Sequence, residues 1–110
     1  MATVEDFRRV ALALPRSTEH LIRDRVKFRV GSIVYLAFSR DESTFGFAYP
    51  KLERDALVEA EPTKFFPPDK VDERYQWVQA WTAAVDAAEA REIVVEAWRM
   101  VVPKKVSKDY

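Results

Sequence analysis

Arg23, Arg25, Lys27 and Arg29 recur two residues apart, and that spacing decides what they can do. A β-strand rises about 3.3 Å per residue, so alternate side chains leave one face about every 6.6 Å. Such a row of cations matches the phosphate repeat of an extended nucleic-acid strand, and neutralising phosphates this way gives affinity independent of sequence. The competing reading is a solvated sheet face whose charges meet Asp or Glu on neighbouring strands. Trp77, Gln79 and Trp81 repeat the two-residue pattern later in the chain, opposite Val78, Ala80 and Thr82. Facing outward, the two tryptophans are platforms on which unpaired bases stack; facing inward, they pack beneath a helix. Lys104, Lys105 and Lys108 add a basic C-terminus.

Other chemistries find little support. His20 is the single histidine, and its neighbour Glu19 points to the opposite side of any strand they share. No nucleophile is patterned around it. Asp69, Asp72 and Glu73 fall in a polar stretch without the spacing or glycine of a calcium loop. Gly31 and Gly46 are the only glycines, so there is no glycine-rich phosphate cradle or dinucleotide fingerprint. The chain has no cysteine, which removes disulfides, thiolate chemistry and Cys-based metal sites and suits a reducing cytosol. The expectation is a protein without catalytic residues, cofactor or metal.

The elements that must position these groups are legible from periodicity. Residues 3–14 read as an amphipathic helix opened by a Thr3–Asp6 capping box, with Val4, Phe7, Val10, Ala11 and Leu14 at helical spacing before Pro15. Val26, Phe28 and Val30 alternate with the cations, Gly31-Ser32 turns the chain, and residues 33–39 and 44–49 continue a three-stranded antiparallel meander. Residues 18–22 add at most a short edge segment. A helix over 51–61 follows Pro50, Phe65-Phe66 marks a short strand, residues 69–74 a polar loop, and residues 75–82 a late strand. Asp86 and Glu89 form a second capping box for a last helix over 86–101, and residues 103–110 read as a loose tail. This order predicts a single-domain α+β fold, an α-β(3)-α-β(2)-α sandwich over residues 1–110, with helices packed on one face of an antiparallel sheet. Phe7, Leu14, Val26, Phe28, Val30, Leu57, Ile93 and Ala97 hold the apolar phase of their elements and are expected in the core, together with Tyr35, Phe45, Phe47 and Tyr49.

A chain of 110 residues with 48% apolar and 13% aromatic residues has material for one core, not two. Lys+Arg and Asp+Glu are 18 each, so net charge is silent, but the distribution is uneven. Residues 1–40 hold eight basic against four acidic side chains, residues 41–100 seven against thirteen, and residues 101–110 three against one. Acids and arginines interrupt the N-terminus where a signal peptide needs an apolar run, so the expectation is a soluble cytoplasmic domain without membrane contact.

The chain also resembles the MmcQ/YjbR-like family, small bacterial proteins usually named as DNA-binding. The resemblance rests on the order and spacing of residues 11–15 (ALALP), 27–31 (KFRVG), 57–62 (LVEAEP), Phe65-Phe66-Pro67, Trp77-Val78, and residues 96–99 (EAWR) before Pro103-Lys104-Lys105. Gln76 stands where the family usually has glycine, and Trp81 at a position often polar. The resemblance implies a fold like the CyaY and secretion-chaperone-like α+β sandwiches. It also implies a nucleic-acid contact, DNA in the family's naming, for which the candidate residues are Arg23, Arg25, Lys27, Arg29, Trp77, Trp81, Lys104 and Lys105. The alternative is a protein-interaction or chaperone-like adaptor, monomeric or weakly dimeric, that uses exposed aromatics as anchors.

Overall fold

The computed structural model describes residues 1–110. Helix α1 (Val4–Ala11) starts where the backbone N–H of Thr3 donates to Asp6 Oδ2 at 2.9 Å, the capping box read from the sequence. It ends earlier than expected, because Ala13 and Leu14 donate to carbonyls three residues back, yet Leu14 still buries its side chain. Strands β1 (Ser17–Ile22), β2 (Arg25–Val30), β3 (Ile33–Phe38) and β4 (Thr44–Ala48) follow. Helix α2 (Lys51–Ala60), β5 (Phe65–Phe66), a single 3-10 turn (Lys70–Asp72) and β6 (Trp77–Trp81) lead to α3 (Ala87–Arg99) and a terminal turn of helix, α4 (Lys104–Ser107). The α+β class stands, and the sheet has six antiparallel strands in the order β1-β2-β3-β4-β6-β5.

Three expectations need correction. The edge segment is a full strand, β1, paired with β2 along its whole length, so four strands rather than three precede α2. The hairpin is tight because Arg23 and Asp24 both take positive φ, 53° and 65°, the left-handed conformation demanded by a two-residue turn between twisted strands. Arg23 is therefore a turn residue and not the first member of the cationic row. The tail is not loose: Ser107 is buried, Arg99 Nη1 donates to its carbonyl at 3.3 Å, and Tyr110 meets Trp98 edge-on with centroids 5.1 Å apart.

The core lies between one face of the sheet and the helices. Phe28, Leu36, Phe47 and Val78 stand directly opposite one another on four strands, and all are buried. Phe38, Phe45 and Ala80 form the next row, and the Phe7 ring of α1 packs against Phe38 and Phe45 at 5.1 and 4.7 Å. The register of β2 against β3 shifts between Phe28 and Arg29, leaving Tyr35 as an extra residue. That bulge lets Tyr35 and Leu36, neighbours in sequence, both be buried, and the Tyr35 hydroxyl shares a hydrogen bond with Ser17 of β1. On α3, Val94, Ala97 and Trp98 are buried, with the Trp98 indole N–H donating to the Pro15 carbonyl at 2.9 Å. Val26, Val30, Leu57, Ile93 and Tyr49 pack against the core but keep partial exposure. Asp86 caps α3 by accepting from Glu89 N at 2.8 Å, whereas the Glu89 carboxylate, expected to return to the cap, goes to Lys64 at 2.7 Å.

Two outcomes test this packing. Phe28→Ala removes a fully buried ring from the central row and should cost about 3–5 kcal/mol in chemical denaturation. Burial pushes the Tyr35 hydroxyl up to about 12, the Ser17 hydrogen bond opposing only part of the shift. A raised pKa in the folded state means this contribution is complete below the unfolded value near 10 and is lost as pH rises toward 12. Tyr35→Phe should flatten that alkaline loss of stability, read as denaturation midpoints at successive pH values.

Candidate functional site

The parity that buries Phe28, Leu36, Phe47 and Val78 sends their strand neighbours to the other, helix-free face. Lys27, Ala37, Gly46 and Gln79 stand opposite one another there, with Arg25 on β2 and Trp77 and Trp81 on β6 sharing the face. The two tryptophans thus take the outward orientation. A hollow opens on this face where the small side chains of Ala37 and Ala48 lie. A groove of about 620 Å³ is lined by Arg25 and Lys27 from β2, Ala37 from β3, Ala48 from β4 and Trp77 from β6. Asp72, Arg74, Tyr75 and Gln76 form one wall, and Ile33, Val34, Met100 and Val101 complete the lining.

The floor depends on Gly46. A Cβ at that position would overlap the Nε1–Cε2–Cζ2 edge of the Trp77 indole, so the ring takes its place beside the strand only because the glycine has no side chain. The wall depends on Arg54 of α2. Its guanidinium is buried without any carboxylate and is satisfied by three main-chain carbonyls, those of Glu73, Tyr75 and Trp77, at 2.9–3.1 Å. This ties the loop after the 3-10 turn to the start of β6 and holds Arg74 and Tyr75 at the rim.

Cations predominate on this face, with Asp72 the one acidic residue in the groove. The ion pairs of the protein join Arg8 to Glu5 and Glu19, Lys64 to Glu61 and Glu89, and Arg99 to Glu96, and none includes Arg25, Lys27, Arg29 or Arg74. The reading in which the row is neutralised by acids on neighbouring strands does not hold. The row is nevertheless shorter than its sequence pattern. Arg25 Nε donates to the Phe38 carbonyl at 3.0 Å, and half-buried Arg29 reaches across to His20 Nδ1 at 3.2 Å, outside the groove. Arg23 lies in the hairpin turn, where its carbonyl accepts from Arg40. Trp81 is 48% exposed and leans on Phe66, centroids 5.3 Å apart, beyond the groove. Lys104 and Lys105 are exposed on α4 and do not line it either.

Arg74 and Tyr75 complete the site with Asp72, which the sequence offers only as a member of a polar loop without calcium-loop spacing, because nothing in such a loop shows which strand it folds beside. Gly46 carried the available signal: a lone glycine within an aromatic strand marks a close approach.

A family model described as YjbR matches residues 12–100. No curated protein matches the chain. Among solved structures, the crystal structure of Deinococcus radiodurans protein DR2400, titled as domain DUF419, superposes with a TM-score of 0.79 at 22% identity, covering 99% of this chain and 88% of that one. No helix of the chain is long and apolar enough to cross a membrane.

Gly46→Ala tests the floor. The added methyl must expel the Trp77 ring from its place, with a loss of about 1–3 kcal/mol and an altered near-ultraviolet circular dichroism band. Unchanged stability and an unchanged band would show that the ring does not rest on the glycine.

Proposed function

The chain belongs to the YjbR family, and we propose that it is a binding module, not an enzyme, that engages the phosphate backbone of a nucleic acid along the open face of its sheet. The observation that carries this reading is that Arg25, Lys27 and Arg74 line one groove beside Trp77 with no carboxylate paired to any of them. Cations left unpaired on a concave face attract an anion with repeating charge, and an adjacent aromatic surface adds stacking worth about 1–3 kcal/mol per base. Arg29, Trp81, Lys104 and Lys105 then contribute to the surrounding field and not to the groove itself.

A second reading has its own support. Exposed Trp81 leans on half-buried Phe66 on the same face, the kind of anchor that concentrates energy at a protein interface and suits an adaptor role. Salt separates the two readings, because counterion release makes phosphate binding fall steeply with salt while apolar contact responds little.

Fluorescence anisotropy with labelled duplex and single-stranded oligonucleotides at low and moderate salt is the direct test. Replacing Lys27 and Arg74 together with Gln should weaken binding uniformly across sequences. The salt slope should drop by about 0.9 per lost contact on duplex, or about 0.7 on a single strand. Absence of binding to either form at low salt would end the nucleic-acid reading in favour of the adaptor.

A further inference from the structure

The groove holds one group that a pure phosphate-binding surface does not need. Asp72 is half-buried, lines the groove, and its carboxylate takes part in no ion pair or side-chain hydrogen bond, although Arg25, Lys27 and Arg74 line the same groove. Partly desolvated, a carboxylate of this kind seeks donors, and it can only accept. We propose that the groove takes one unstacked base of a single strand, and that Asp72 makes that base guanine. This rests on the strand-binding reading above and names the ligand class of the same site.

The surrounding geometry supplies the rest of the recognition. The Trp77 indole, seated against Gly46 and lining the groove with Ala37 and Ala48, offers an aromatic surface on which a base can stack. Stacking alone does not discriminate; the carboxylate does. Guanine presents two adjacent donors, N1–H and the 2-amino group, which the two oxygens of one carboxylate accept together. Adenine and cytosine each set a single amino donor beside a ring acceptor, and thymine and uracil flank one N–H with two carbonyls that the carboxylate repels. These edges are available only when the base is unpaired, which excludes a duplex from the groove while leaving its phosphates free to meet the rim cations. The volume, about 620 Å³, is in the range of sites for small ligands, about 300–1,000 Å³, and so fits one nucleotide rather than a duplex segment. Lys27 and Arg25 on one side and Arg74 on the other are placed to hold the phosphates flanking that base.

The experiment compares a labelled oligothymidylate with the same strand carrying one central guanine, each alone and annealed to its complement, using the full-length protein and Asp72→Asn. The guanine strand should bind about tenfold tighter than oligothymidylate, and Asp72→Asn should bring the ratio near one, tightening oligothymidylate as the repulsion of its carbonyls and phosphates is removed, while leaving the melting temperature intact. A second arm uses guanosine monophosphate and adenosine monophosphate as competitors. Equal affinity for the two strands, a preference unaltered by Asp72→Asn, or tighter binding of the duplex than of the single strand overturns the guanine assignment and leaves backbone binding standing. Guanosine monophosphate binding as tightly as the guanine strand identifies a free nucleotide as the ligand and overturns the strand reading too. No binding by any oligonucleotide removes both.

Discussion

The buried row Phe28, Leu36, Phe47 and Val78 fixes the register of four strands, and nearly everything else in the molecule follows from that register. Each of these side chains contributes about 1.5–3 kcal/mol by leaving water, so the row outweighs any single polar contact on the sheet. A slip of one residue would turn Lys27 and Gln79 toward the helices and bury an ammonium without a partner. The same parity leaves Ala37 and Gly46 at the middle of the opposite row, where the Trp77 indole fills the space at Gly46 and Ala37 lines the groove. Core and groove are therefore one decision of the chain, read on two sides. At the β1 end of the row the apolar side chains give way to Glu19, which meets Arg8 of α1 through two hydrogen bonds at 2.8 and 2.9 Å.

Arg54 is the second constraint and works differently. A buried guanidinium ordinarily wants a carboxylate, and here it has three carbonyls of one segment instead. Main-chain carbonyls cannot move away without unmaking the segment, so the charge acts as a clamp on residues 73–77. Arg74 at the rim has no acidic partner and instead donates to the Tyr75 hydroxyl at 2.8 Å. Helix α2, which contributes little buried apolar surface of its own, is held to the sheet largely through this side chain and through Leu57 and Val58 packing on the core.

The fold class was readable because alternation and helical spacing report which face of each element meets the core. Phe7, Phe28, Phe45, Phe47 and Ala97 all lie where their phase placed them. Strand β1 was harder: it is polar, lies at the sheet edge, and exposes much of both faces, so its sequence has little apolar alternation to detect. Arg23 continued the two-residue rhythm of the cations, and only the positive φ of the turn, invisible in the sequence, removes it from the row. The C-terminal helix was missed because its anchor is tertiary, Tyr110 on Trp98 and Ser107 on Arg99, with no periodic stripe to announce it. The cationic residues of β2 and the outward tryptophan of β6 were legible as a pattern. Their union with Asp72 and Arg74 was not, since the loop that carries those two is placed by Arg54 on another element.

Zero net charge is a poor guide to how such a molecule meets an anion. Glu61, Glu89, Glu92 and Glu96 line a cleft between α2 and α3 floored by Phe47 and Phe65, on the helix side of the sheet, while Arg25, Lys27 and Arg74 line the groove on the other side. The two linings share Ala48 and so lie back to back across one sheet. A polyanion approaching the open face meets Arg25, Lys27 and Arg74, with Asp72 the one carboxylate among them, while the helix-side acids stand behind the sheet and Glu61 and Glu89 are held by Lys64. Segregating the two signs on opposite sides of one sheet lets a neutral, mixed-charge chain present a basic surface in one direction. The packed apolar layer between them keeps the carboxylates from folding back to quench it.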